Sequence, residues 1–397
     1  MKILYVHHVR ELHNENVYLN DDYDEANLAL YGAQEMDTWA GVRMLSNDHQ
    51  VYRLEICINS NRARLLDPSQ RTLREFDISH KSIDVNYIKT LLKYLDPSIA
   101  QFAYKSFKSL FQNIFENYSF DVWWVDTQFY AGVIPREIKS ITRSVNFEPF
   151  HVLGEDQSPY RFIKSILKIW SEVLVSRHTV FMSISPLDSR RYSRLGLKQI
   201  PYLPLRQLIY LPSKQNEEIQ KGKYFCFAGS TYDVRHNYRN LLFIVNVLAP
   251  RLAVQLPEYN ILIFGNRLPK QMKLPTNVKY MGFSKDLHEF LIHSTAVVIP
   301  YSGGAGMQSK LFVPLKLGAL VIANPKNFAG YEFVQNIHYL AATNPDEFVK
   351  QIIRSANKPV EEMLEIGINA RIKSDELFKV SEFTKIINQA FLTALDN

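Results

Sequence analysis

The sequence predicts an α/β fold of two Rossmann-like domains facing each other across a cleft. Short apolar runs alternate with amphipathic stretches of helical length along most of the chain, the order in which a parallel sheet is threaded. That series is broken once, at 200–223, by IPYLPLRQLIYLPSKQNEEIQKGK, whose three prolines and charged tail read as a connection between domains. The chain of 397 residues also exceeds what a single ordinary core organises. The expected boundaries are 1–205 for an N-terminal acceptor-side domain, 206–378 for a C-terminal donor-side domain, and 379–397 for a last helix that crosses back to the first domain.

The elements follow in order. KILYV (2–6) is a buried strand, and the polar loop HHVRELHNENVYLNDDYDEAN leads to a helix through TWAGVRMLSN. HQVYRLEI (49–56) is the next strand, and 87–118 carries aromatics and lysines at helical spacing. DVWWVD (121–126) is a strand with an acid at its carboxyl end. SITRSVNFE (140–148) is another strand, followed by a helix through RFIKSILKIWSEVLVSR and the strand TVFMSIS (179–185). The second series opens with KYFCFAGS (223–230) and a helix at 238–253. It continues with NILIFG (260–265), VKYMGF (278–283), a helix at 285–293, AVVIP (296–300), a helix at 309–317 and LVIAN (320–324). Helices at 345–355 and 358–395 end the chain.

Composition narrows the class. Hydrophobic residues at 46% and charged residues at 22% describe a globular protein rather than a disordered or fibrous one. A net charge of +6 suits anionic ligands without selecting among them. No clustered basic-aromatic module points to nucleic acid. Cys57 and Cys226 each sit in a strand-like run, which reads as two buried thiols and supplies neither a disulfide framework nor a zinc site. MKILYVHH is too brief for a signal-peptide core, and no apolar run reaches the roughly 20 residues needed to span a bilayer. A cytoplasmic protein is expected.

The most informative stretch is IPYSGGAGMQSKLFVPLKLGALVIANP (299–325). A strand delivers the chain to a loop whose Gly303, Gly304 and Gly306 allow close backbone approach to a ligand. The helix that follows offers free N–H groups and a partial positive charge. Lys310 in its first turn opposes the helix dipole, a placement that makes sense with an anion, phosphate above all, between them. A plain glycine turn with a solvated lysine is the alternative. The loop lacks the G-K-[ST] ending of a Walker loop, which disfavours a P-loop ATPase or kinase.

PYSGGAGMQSKLFVPLKLGALVIAN resembles the donor-site segment of glycosyltransferases of the GT-B fold, of the retaining "glycosyl transferases group 1" type. FAGSTYDVRHNYRNLLFIVNVLAPRL (227–252) is similar to that family's opening of its C-terminal domain, and NILIFGNRLPK with NVKYMGFSKDLHEFLIHSTAVVIP keeps the family's order of strands and glycines. TRSVNFEPFH (142–151) resembles an R-x-H-N-x-E segment of a subset of these enzymes, with valine at the histidine position. The likeness covers about 170 C-terminal residues well and the N-terminal half less well. It implies a nucleotide-diphosphate sugar as donor, gripped by Gly304, Gly306, Lys310 and Arg235, with Gly229, Asp233 and Asn237 at the opening turn. It implies transfer with retention to an acceptor presented by the first domain, no cofactor beyond the donor, and a final helix crossing between domains. One departure stands out. The family's K-x-x-E frame reads Lys310-Leu-Phe-Val313-Pro314 here, so a ribose-binding carboxylate is missing, and Pro314 predicts a helix start nearer 311–313.

The remaining candidates have competing structural readings. Arg235 suits a diphosphate, which a guanidinium binds bidentately, or is a solvated turn residue. Asp233 and Asn237 bind ligand or cap a helix, and Gly229 serves a tight turn. Asp126, Glu148 and His151 are the catalytic candidates on the acceptor side, with Arg143 near enough in sequence to neutralise Glu148. His7, His8 and His13 read as loop residues lining the cleft. NDDYDE (20–25) is polar on both sides and reads as a surface loop, not a D-x-D metal motif, so transfer without metal is expected. YRFIKSILKIWSEVL and YIKTLLKYLDPSIAQFAYKSFKSLF interleave apolar residues with lysines and arginines. Each packs one face on the core or docks on an anionic membrane surface, on the inner face of the cytoplasmic membrane, bringing the first domain to a lipid-linked acceptor. A non-catalytic GT-B-shaped partner subunit is the rival to the enzyme. The base, the sugar, the acceptor glycan and the oligomeric state are left open.

Overall fold

The computed structural model describes residues 1–9, 12, 33–79, 84–144, 146–156, 158–197, 201–205, 220–284, 286–300 and 309–396. His13, the 20–25 loop, Gly303, Gly304 and Gly306 lie outside the described residues.

Two sheets organise the chain. The first has seven strands in the order β4-β3-β2-β1-β5-β6-β7. They are β1 (Lys2–His8), β2 (Gln50–Cys57), β3 (Arg62–Leu66), β4 (Thr72–Asp77), β5 (Val122–Val125), β6 (Ser140–Arg143) and β7 (Val180–Met182). β1 pairs in parallel with β2 and β5, while β3 and β4 add an antiparallel edge. The second sheet is parallel throughout, in the order β10-β9-β8-β11-β12-β13. Its strands are β8 (Tyr224–Thr231), β9 (Asn260–Asn266), β10 (Val278–Gly282), β11 (Ala296–Ile299), β12 (Val321–Ala323) and β13 (Leu340–Ala341). The α/β architecture read from the sequence is therefore present. Strands buried on both faces, such as Val122–Val125 and Ala296–Ile299, are the continuous apolar runs that parallel sheets require.

Several expectations change. His7 and His8 belong to β1 itself, and His7 is wholly buried, so they are strand residues and not loop residues. The 140–148 strand ends at Arg143. Glu148 instead opens a helix, Glu148–Glu155, because Pro149 sits in the first helical turn, where its missing N–H costs nothing. The hairpin β3–β4 escaped detection because TLREFD carries no apolar run to announce a strand. The helix expected at 238–253 begins at Arg235 and passes through a π-helical turn, Ile244–Leu248, before Ala249–Gln255. The long C-terminal helix is two, Val360–Leu377 and Val380–Asp396, broken at Phe378 without glycine or proline. The helix after the glycine loop starts at Ser309, ahead of the 311–313 start expected, and keeps Pro314 inside. Pro314 is the sixth residue of that helix, beyond the first four whose N–H groups lack intrahelical partners in any case, so the bond to the Lys310 carbonyl is forfeited there.

The helix Val380–Asp396 packs against β5, β6 and β7 of the first sheet. Phe391 meets Trp124 at 6.2 Å and the ring of His49 at 5.3 Å, and the Lys139 ammonium donates to the Leu395 carbonyl. A single apolar cluster runs from Tyr5 and Trp124 through Phe383 and Phe391 to Phe312 and Leu315. Cys57 and Cys226 are both buried, as the sequence indicated.

Candidate active site

The strand order of the second sheet reverses between β8 and β11: β9 and β10 lie on one side, β12 and β13 on the other. At such a switch point open α/β sheets bind ligands beyond the carboxyl ends of the strands, here β8 and β11. The first leads into the helix Arg235–Phe243, the second into the helix Ser309–Lys316.

Asn237 joins the two. Its side chain is 1% exposed, donates Nδ2 to the Thr231 carbonyl at 2.8 Å, and accepts from the Lys310 ammonium at Oδ1. Burial lowers the Lys310 pKa to about 8, and the amide beside it offers no charge to offset that. A lysine so held gains from any anion that arrives next to it. Arg235 is the first, half-buried residue of its helix.

The cap reading of Asp233 and Asn237 does not hold. Val234 is the N-cap and makes no side-chain cap bond. Asp233 accepts from the Thr231 hydroxyl and pairs with Arg267, and these two bonds hold its carboxyl below the usual range. Gly229 lies within β8 and not in a turn. A Cβ there would stand 2.7 Å from the Tyr232 hydroxyl, which donates to the Phe264 carbonyl at 2.6 Å. The glycine makes room for a ring that ties β8 to β9.

On the first sheet the switch point lies between β1 and β5. Asp126 follows β5, is 1% exposed, and has both carboxylate oxygens engaged: Oδ1 accepts from Arg143 at 3.1 Å and Oδ2 from Thr38 at 3.2 Å. Arg143 reaches Asp37 at 3.2 Å and donates Nε to the Leu203 carbonyl at 3.0 Å. Arg143 therefore neutralises Asp37 and Asp126 rather than Glu148. Burial pushes the Asp126 carboxyl above the ordinary range, with the Arg143 charge opposing. This network anchors the helix Ala33–Ser46, the end of β5 and the residues after β7 to one guanidinium. Removing one partner of such a buried set costs about 3–5 kcal/mol.

Glu148 and His151 share the helix Glu148–Glu155, one turn apart, with Glu148 7% exposed. The sequence reading missed Glu172. It stands on the buried side of the helix Arg161–Ser176, where its Oε1 accepts from the Glu148 backbone N–H at 3.1 Å and from Gln128 at 3.5 Å. Burial, then the neighbouring Glu148, raises the Glu172 carboxyl well above its usual range. It caps the Glu148 helix from outside, a role that only spatial adjacency reveals. Among the described residues no group of three His, Cys, Asp or Glu is placed to hold a metal ion.

Residues 222–358 match the family described as "Glycosyl transferases group 1", a span that includes Asn237 and Lys310. The chain has the GT-B fold. TarM is similar in two structures: one at 12% identity and TM-score 0.56 over 83% of this chain and 64% of that one, the other, of a point mutant of the S. aureus protein, at 11% identity and TM-score 0.61 over 100% of both. The chain thus spans less than two thirds of the longer TarM structure. Sucrose-phosphate synthase from Thermosynechococcus elongatus aligns at 12% identity and TM-score 0.65, over 99% of this chain and 98% of that one. Anabaena HepE in complex with UDP aligns at 14% identity and TM-score 0.56, over 99% and 100%. Comparison with curated proteins gives no match.

Proposed function

We propose that this GT-B chain is a glycosyltransferase that moves a sugar from a nucleotide-diphosphate sugar to an acceptor hydroxyl, with retention and without metal, in the synthesis of a glycan or glycoconjugate in the cytoplasm. The observation that carries the reading is the Lys310–Asn237 contact at the switch point of the second sheet, inside the residues that match the group 1 family. In this reading the diphosphate lies against Lys310, Arg235 and the free N–H groups that open the helix Ser309–Lys316, with Gly304 and Gly306 letting the backbone approach. These groups stabilise the charge that develops on the departing diphosphate, where a preorganised site is most effective. HepE has been crystallised with UDP, and TarM with UDP and alpha-GlcNAc-glycerol, which supports a nucleotide donor and a glycan-like acceptor.

On the acceptor side we assign Glu148 and His151 to the cleft. Asp126, with both oxygens engaged, acts as a positioning residue that fixes Arg143 and the end of β5. A second reading, a non-catalytic partner subunit, rests on Val313. This side chain stands where related enzymes place a carboxylate and packs instead on the apolar cluster.

The test is a thermal-shift series of wild type and Lys310→Ala with UDP, GDP, ADP, TDP and their sugars. A nucleotide near 100 times its Kd should stabilise the wild type by about 2.7 kcal/mol and the variant far less. No shift with any nucleotide would sink the donor-site assignment. A shift without donor hydrolysis or transfer would favour the partner subunit.

A further inference from the structure

The helix Arg161–Ser176 is inside out. Its buried side is Ser165, Lys168, Ser171, Glu172 and Val175, four of them polar. Lys168 is held by both oxygens of Asp96 at 2.9 Å, and Ser171 donates to the same carboxylate at 3.0 Å. Phe162, Ile163, Ile166 and Trp170 share the opposite face and are 51–64% exposed. The helix Val85–Tyr94 packs beside it. It exposes Val85, Ile88 and Leu92, at 63%, 49% and 70%, again on one face. Two neighbouring helices thus turn apolar stripes to solvent.

The charges around these stripes are mostly positive, although Asp156 offsets Lys164. Lys89, Lys93, Arg161 and Lys164 are all exposed. The nearby acids are directed elsewhere. Asp96 and Glu172 are buried, Asp84 caps the Val85–Tyr94 helix, and Asp156 is taken by Lys164 at 2.7 Å. The Arg161 guanidinium lies 5.1 Å over the Phe162 ring. Large exposed apolar patches mark interaction surfaces. Pairing with a second copy about a twofold axis would set these lysines against one another. Apolar side chains, an exposed tryptophan and a basic rim are what an anionic bilayer interface accepts.

We propose that the paired helices Val85–Tyr94 and Arg161–Ser176 form a docking surface for an anionic lipid bilayer. The consequence for the acceptor rests on the transferase reading above. Glu172 of the docked helix accepts from the Glu148 N–H, and Phe150 on the Glu148–Glu155 helix is 44% exposed. Docking therefore holds the acceptor-side groups behind that helix, one helix diameter (~10 Å) from the membrane, and favours a lipid-linked acceptor.

Flotation of the full chain with phosphatidylcholine vesicles, with and without phosphatidylglycerol, tests the surface and needs no donor. The wild type should float only with phosphatidylglycerol. Ile166→Glu combined with Trp170→Glu should abolish flotation, and Lys89→Ala with Lys93→Ala should weaken it about thirtyfold. Circular dichroism and the melting temperature check that each variant folds. Equal flotation with both vesicle types, flotation unchanged in the variants, or a dimer that only Ile166→Glu/Trp170→Glu dissolves would each overturn the proposal. Failure here leaves the nucleotide thermal shift untouched, so the two readings fall separately.

Discussion

Lys310 places a cation in the first turn of a helix, beside a neutral amide, with burial lowering its pKa to about 8. The sign of the resulting pH dependence follows directly. Below about pH 8 the ammonium is charged before a diphosphate arrives, and binding moves no proton through it. Above that value the free protein has lost the proton and binding must take one up, so affinity falls by up to about tenfold per pH unit. Calorimetric titration of whichever nucleotide binds should show a plateau from neutral pH to about 8 and a decline beyond it. Lys310→Ala should bind more weakly and without that decline. An identical alkaline slope in both proteins would mean that the lysine does not contact the diphosphate. Asn237 shows how much of this site the sequence carried. Its neighbourhood to a glycine-bearing strand end was legible, but its role as the bridge between Thr231 and Lys310 depends on β8 and β11 lying side by side, which no local pattern states.

Among the elements, the helix Val380–Asp396 is the one whose loss would reach furthest. Its Phe391 is 2% exposed and sits between Trp124 and His49 of the first domain. Phe391→Ala should cost about 3–5 kcal/mol, through lost transfer energy and the cavity left behind. Urea unfolding measures it, and a loss below about 1 kcal/mol would show that the helix is only loosely seated. The parallel strands were readable because burial on both faces forces continuous apolar runs, as in VWWV and AVVI. The β3–β4 hairpin was not, because an exposed edge strand has no such requirement. The helix Arg161–Ser176 marks a different limit. Periodicity revealed two faces of opposite character, but it left open whether the apolar one meets the core or an anionic membrane. Asp96 and Glu148, distant in sequence, are what draw Lys168, Ser171 and Glu172 inward.

For the whole molecule, the two domains touch at the helix Val380–Asp396, where Phe383 meets Tyr202 at 5.4 Å, and at Gly330. The second contact is tight. Gly330 has φ +98, and a Cβ there would stand 2.9 Å from the Arg190 guanidinium and 3.1 Å from the Leu187 amide nitrogen, both on the helix Pro186–Arg194 of the first domain. A side chain at this position must push the helix away or distort a backbone that L-residues seldom adopt. The groups proposed to bind the nucleotide, after β8 and β11, all belong to the second domain and do not depend on that contact. The proposed transfer does, because the acceptor-side groups assigned to it, Glu148 and His151, come from the first domain, and misplacement by about 1 Å can cost about a hundredfold in rate. Gly330→Val is therefore expected to keep the nucleotide thermal shift, to enlarge the radius of gyration in small-angle scattering, and to lose transfer far more than donor binding. If nucleotide binding and transfer fell together, the Gly330 contact would be supporting the second domain's own fold rather than the spacing between the two.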